Sequence, residues 1–217
     1  GAEVVDGVRG QGGESLRRER RKVVIERRRL EDGCGLEETI VDCGEDAADP
    51  HNRGGGPLRA DEPIVVDIFP RSKTTGYHAD TTRTWVRGTP DERLAAWHRL
   101  TDEAREAALA TVEPGVTGAE VHNAVCNVYE SAGIPTLRAE PTAETGFIHS
   151  TGHGVGLAVH ERPRVGPEGD ELESGNVITI EPGLYNPTVG GVRIEDIVVV
   201  REGGYENLTS LPTGLVP

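Results

Sequence analysis

Apolar residues along the chain fall into short runs of strand length and longer stretches with helical spacing. Residues 62–68, EPIVVDI, form a buried-strand run with Asp67 near its end, and 39–41, TIV, is a shorter run of the same kind. Residues 76–88, GYHADTTRTWVRG, alternate like a second strand with Asp80 in its middle. Residues 69–75, which include Pro70, read as the turn between the two. In 149–161, HSTGHGVGLAVHE, glycines at 152, 154 and 156 permit close backbone approach, and Val155, Leu157 and Val159 then alternate as a strand would. Residues 176–181, NVITIE, predict another strand. Residues 190–200, GGVRIEDIVVV, predict a final one, with Arg193 and Glu195 on one face and Val192 and Ile194 on the other.

Two helices are signalled between these strands. Thr89 supplies an N-cap, Pro90 a first helical position and Glu92 a capping-box carboxylate. Leu94, Trp97, Ala104, Ala108 and Val112 then face one way, and Pro114-Gly115 stops the helix. Thr117 and Glu120 repeat the capping box ahead of a stripe of Val121, Val125, Val128 and Ala132, closed by Gly133. Near the start, residues 1–13 are a glycine-rich flexible lead-in, and 14–30 predict a solvated arginine-rich helix with Leu16, Val23 and Leu30 on one face. Helices interspersed with antiparallel-looking strands predict an α+β domain.

Composition narrows the function classes. The 217-residue chain carries a net charge of −14, with 21 Arg against 2 Lys, which opposes nucleic-acid binding and anionic membranes as general partners. Excess carboxylate with scarce lysine is also the composition of salt-adapted, halophilic proteins. No run of 18 apolar residues or signal peptide is visible, and the 3 cysteines lack zinc-site spacing, so the expected location is cytoplasmic with reduced thiols. There is no methionine, which predicts a processed start or a fragment.

The chemistry concentrates in Asp67, Asp80, His153, Glu181 and Glu195, each at the end or middle of a predicted buried strand. Burying a carboxylate without a partner costs several kcal/mol, so such a group calls for positive charge. A pair of divalent cations bridged by carboxylates would supply it, and an oxygen-rich ligand set with one imidazole suits Mn²⁺, Co²⁺, Fe²⁺ or Zn²⁺, with Mn²⁺ favoured. On spacing alone, the alternative of scattered surface acids stays open.

Taken in order, VDIFPRSKTTGYHADTTRTWV, HSTGHGVGLAVHE, VITIEPGLY and GGVRIEDIVVV resemble the pita-bread metallopeptidases, the family of methionine aminopeptidase, aminopeptidase P and prolidase. The resemblance covers roughly residues 35–205 and implies a curved, mostly antiparallel sheet backed by helices. It implies that Asp80 and Glu195 bridge two ions, that Asp67 holds one and that His153 and Glu181 hold the other. It further implies that Glu181 is the general acid–base and that His160 stabilises the oxyanion. His149 would line the proline-side pocket, and His51, 16 residues before Asp67, would contact the scissile region. No family role follows for His78, His122 or His98, which are expected to be structural, with His98 on a helix surface.

Arg193, two residues before Glu195, stands where the resemblance implies an arginine in the proline-specific branch, and by that resemblance it is expected to bind substrate. The implied activity is a dinuclear exopeptidase that hydrolyses Xaa-Pro bonds of short peptides through a metal-bridging hydroxide, with a homodimer as a further expectation. A methionine aminopeptidase-type enzyme and a non-catalytic pita-bread binding protein are the alternatives. Residues 14–217 are expected to form a single catalytic domain without the separate N-terminal domain that prolidases usually carry.

Overall fold

The computed structural model describes residues 34–35 and 39–216; the lead-in and helix predicted over 1–30 lie outside the described residues. Strands β1 (Cys34–Gly35), β2 (Thr39–Cys43), β3 (Pro63–Ile68), β4 (Arg71–Ser72) and β5 (Thr81–Val86) come first, with a 3₁₀ turn at Gly44–Ala48. β3 is the centre of a three-stranded antiparallel sheet between β2 and β5, in which Asp67 faces Thr82 across the ladder. Two helices follow, α1 (Glu92–Leu109) and α2 (Gly118–Ser131).

The second half contains β6 (Gly152–Gly154), β7 (Glu161–Val165), β8 (Val177–Ile180), β9 (Gly183–Asn186), β10 (Gly190–Arg193), β11 (Asp196–Arg201) and β12 (Gly204–Asn207). A five-stranded sheet runs β12-β11-β8-β6-β7, and β9 with β10 forms a separate hairpin. The main core lies where the helices meet these strands: Leu94, Ala104, Ala108, Val121 and Val125 join Ile178, Ile180, Leu184, Val198 and Val200 in one buried cluster. Each Leu, Val or Ile side chain among them contributes roughly 1.5–3 kcal/mol on full burial, which holds the helices on the sheet. Among the described residues, no helix is long and apolar enough to cross a membrane.

Several local expectations give way to tertiary contacts. Asp80 stands just ahead of β5 rather than in the middle of a strand, and the turn before it contains β4, which pairs with β1. The cap of α1 is Asp91, whose carboxylate accepts from the Leu94 amide at 2.7 Å, and the Thr89 amide donates to Asp61 instead. A carboxylate at that position also meets the positive end of the helix dipole, which a threonine cannot match. The stripe Leu94 to Val112 is buried as expected, and the Thr117–Glu120 capping box forms. Ala132 is exposed, its place in the core taken by Cys126 and Tyr129.

The region 155–159 is no strand. A register shift after His153 ends β6 at Gly154, the chain turns, and Leu157 is left 62% exposed. The stretch 190–200 is two strands, because the chain changes partners at Ile194-Glu195: β10 pairs with β9, whereas β11 pairs with β8 and β12. Both faces of it are buried, so the expected two-face alternation has no solvent side. His98 is buried, not on a surface.

Gly152 shows how closely β6 lies on β8, since a Cβ there would sit 2.0 Å from the Thr179 carbonyl oxygen. Gly152→Ala must therefore push the two strands apart, at about 1–3 kcal/mol for overpacking. A fall in melting temperature of at least about 3 °C is expected by calorimetry; an unchanged value would contradict the close approach.

Candidate metal centre

Strand ends and strand breaks carry the site. Asp67 is the penultimate residue of β3, Asp80 immediately precedes β5, His153 is the middle of β6, Glu181 follows β8, and Glu195 fills the break between β10 and β11. All five side chains line one cavity of about 1010 Å³, whose wall also includes His51, His149, His160 and Arg193. One ligand atom from each of Asp80, His153 and Glu195 lies within 4.8 Å of the others. His153 Nε2 is 3.3 Å from a Glu181 oxygen and 3.7 Å from an Asp80 oxygen.

Each group is oriented by a neighbour. The His153 Nδ1–H donates to the Gly154 carbonyl at 3.1 Å, which leaves the Nε2 lone pair facing the carboxylates. Burial lowers the His153 pKa to about 4, so at neutral pH that ring is uncharged and offers a lone pair to oxygen lone pairs. The Thr179 hydroxyl bonds Glu181 at 3.3 Å and accepts from the His153 amide at 3.0 Å. The Thr82 hydroxyl donates to Glu195 Oε2 at 2.7 Å. His160 stacks edge-on against His153, with ring centroids 4.2 Å apart.

Arg193 commits its guanidinium to the protein. Nη2 donates to Asp67 Oδ2 at 2.9 Å, Nη1 to the Tyr185 hydroxyl at 2.9 Å and Nε to Thr82 Oγ1 at 3.2 Å. The Tyr185 hydroxyl in turn lies 3.0 Å from His149 Nε2, whose ring donates through Nδ1 to the Ser150 carbonyl. Burial, with Arg193 beside it, lowers the His149 pKa to about 3, which keeps that ring a neutral acceptor. Arg193 thus holds Asp67 and, through Tyr185, orients His149. His51 sits at the exposed rim, its amide bonded to Asp49. His122 packs in the core against Thr151 and Phe147. Tyr185, Thr82 and Thr179 carry no sequence signal that marks them as partners of the site beyond their nearness to its motifs.

The donor set fits cations. Burial raises the Asp80 pKa to about 9, with the charges of Asp67 and Glu181 adding to it, and burial raises that of Glu181 to about 8. Glu195 is pushed up by burial and by Asp80. Asp67 Oδ1 and Asp80 Oδ1 are buried without a hydrogen-bond partner. Crowded acids, orphaned carboxylate oxygens and an imidazole lone pair aimed at them are what a divalent cation would satisfy.

This arrangement makes stability depend on pH with a definite sign. Without a cation, Asp80 and Glu181 keep protons in the folded chain up to about 9 and about 8, whereas the unfolded chain releases them near the ordinary carboxylate values of 3.8 and 4.5. The folded form binds more protons across that window, so these groups destabilise the metal-free chain as pH rises through it. A cation replaces the protons. The gap in melting temperature between Mn²⁺-loaded and metal-stripped protein is expected to widen from pH 5 to pH 8; a constant or narrowing gap would contradict the assignment.

The profile of metallopeptidase family M24 matches residues 14–202. The probable dipeptidase PepE of Mycobacterium tuberculosis is 38% identical over 179 residues, covering 82% of this chain and 45% of that protein. The Xaa-Pro dipeptidase of Pyrococcus furiosus is 36% identical over 174 residues, covering 79% and 47% respectively. The crystal structure of the prolidase from Pyrococcus horikoshii superposes with a TM-score of 0.82 at 32% identity, covering 98% of this chain and 57% of that one. The chain spans about half the length of the curated relatives it matches.

Proposed function

The chain belongs to the M24 metallopeptidase family, and on that premise we propose that it is a dinuclear metal-dependent exopeptidase that cleaves the bond before proline in short peptides. Its architecture is the pita-bread fold, α+β with antiparallel sheets and helices. In this reading, the described part of residues 14–217 acts as one catalytic domain. The observation that carries the reading is the convergence of Asp67, Asp80, His153, Glu181 and Glu195 on one cavity, with orphaned carboxylate oxygens among them.

Asp80 and Glu195 would bridge two divalent cations, with Asp67 on one and His153 and Glu181 on the other; Mn²⁺ suits the oxygen-rich set. When bound, the cations supply Lewis acidity, lowering the pKa of water towards neutrality and polarising the substrate carbonyl. Glu181 takes the proton of the attacking water and passes it to the proline nitrogen, which leaves the acyl carbon readily only when protonated. His160, at the exposed mouth beside His153, donates to the developing oxyanion. His149, neutral and fixed by Tyr185, lines the proline side, and His51 at the rim meets the scissile region. Arg193 acts through Asp67 and Tyr185, holding a ligand and a pocket residue in place.

The test is hydrolysis of Ala-Pro, Ala-Pro-Ala and Met-Ala-Ser by metal-stripped protein with Mn²⁺, Co²⁺ or Zn²⁺ restored, at low and molar salt. Cleavage of a proline peptide is expected, and release of Met alone would overturn the proline assignment. Glu181→Gln is expected to lose at least about 100-fold in kcat; full activity in that variant would remove Glu181 from its acid–base role.

A further inference from the structure

Glu195 is held in a way that no strand ladder provides. It lies in the gap between β10 and β11, so its backbone takes partners from β5 instead: its amide donates to the Thr82 carbonyl at 3.0 Å, and its carbonyl accepts from the Thr81 hydroxyl at 3.0 Å. The shortest contact on that carbonyl is from Arg83 Nη1, at 2.6 Å. Arg83 is 2% exposed and every N–H of its guanidinium is used. Nη1 also reaches the Thr82 carbonyl at 2.9 Å, Nη2 reaches Asp196 Oδ1 at 2.7 Å and the Leu211 carbonyl at 2.8 Å, and Nε reaches the Pro212 carbonyl at 3.1 Å. Asp196 is fixed in turn by Arg105 of α1, at 2.8 Å, and by Asn207 of β12, at 2.9 Å.

We propose that Arg83 is a positioning residue for Glu195, a buried fork that pins the backbone at the strand break and so sets where the Glu195 carboxylate stands in the cavity. The inference rests on the reading of Glu195 as a metal ligand. Its geometry has two consequences. Arg83 grips the backbone carbonyls of both Thr82 and Glu195, and the Thr82 hydroxyl bonds the Glu195 carboxylate at 2.7 Å, so one guanidinium fixes the carboxylate at its root and through its hydroxyl partner. The same fork closes the segment 211–212 over the back of the site, tying β5, the break and that segment into one unit. A lysine keeps the charge opposite Asp196 but is a point donor that cannot span these acceptors.

The experiment titrates metal-stripped protein with MnCl₂ and measures kcat and KM for Ala-Pro in wild type, Arg83→Lys and Val125→Ala, the last a core truncation on α2 that serves as the stability control. Arg83→Lys is expected to bind Mn²⁺ roughly 10- to 100-fold more weakly, the usual cost of disturbing a group that orients a metal ligand, with kcat reduced and KM within about threefold. Val125→Ala is expected to melt earlier with Mn²⁺ affinity within about twofold of wild type. Equal affinity in Arg83→Lys and wild type, or an equal loss in Val125→Ala, would overturn the proposal. Should Arg83→Lys fail to fold, Asp196→Asn, which removes the anion that aims Nη2, decides instead: weaker Mn²⁺ binding by about threefold or more supports the proposal and unchanged binding overturns it. Absence of Mn²⁺ binding in wild type would sink the metal reading itself, an outcome distinct from all of these.

Discussion

Repulsion among buried carboxylates is the constraint on which this fold turns. Asp67, Asp80 and Glu195 are buried, and Glu181 stands half-buried beside them in the same cavity. Arg193 answers Asp67 directly at 2.9 Å. Among the described residues, Asp80, Glu181 and Glu195 have hydroxyls and a neutral imidazole close by but no guanidinium within ion-pair distance. Bringing such groups out of water costs several kcal/mol each unless charge or protons compensate. The raised pKa values of Asp80 and Glu181 express that cost, and cations in place of the protons would relieve it.

The fold meets the constraint with backbone that is fixed on every side. The carboxylates stand at strand ends and breaks, where a side chain can leave the sheet, and the backbones of Asp67, Glu181 and Glu195 are tied to neighbouring segments. Glu181 donates its amide to Thr151, and Glu195 donates its amide to Thr82. Behind the carboxylates lies a layer of hydroxyls and guanidinium groups, Thr82, Thr179, Arg193 and Arg83, whose hydrogen bonds aim the oxygens inward. The helices contribute through the core, and α1 reaches the back of the site through Arg105 and Asp196.

The sequence made the apolar runs legible because local hydrophobic pattern decides them: 62–68 and 176–181 became β3 and β8, and the Thr117–Glu120 box formed as written. Asp67, Asp80, His153, Glu181 and Glu195 stood out as acids and an imidazole where solvated residues were not expected. What pattern could not show were features set by contacts distant in the chain. The break at Glu195 exists because its amide finds Thr82, over a hundred residues away in sequence, and the turn after His153 follows a register shift against β7. Arg193 reads as a substrate contact from its place two residues before Glu195; in the fold its hydrogen bonds go to Asp67, Thr82 and Tyr185, from three other elements. Arg83 carried no mark beyond its place in an alternating strand.

The most direct measurement is manganese-edge anomalous diffraction from crystals of the chain grown with Mn²⁺. Two peaks are expected about 3.5–4 Å apart, with Asp80 and Glu195 between them, Asp67 beside one and His153 with Glu181 beside the other. No peak in the cavity at saturating Mn²⁺, with the carboxylates paired to protein groups instead, would contradict the metal centre.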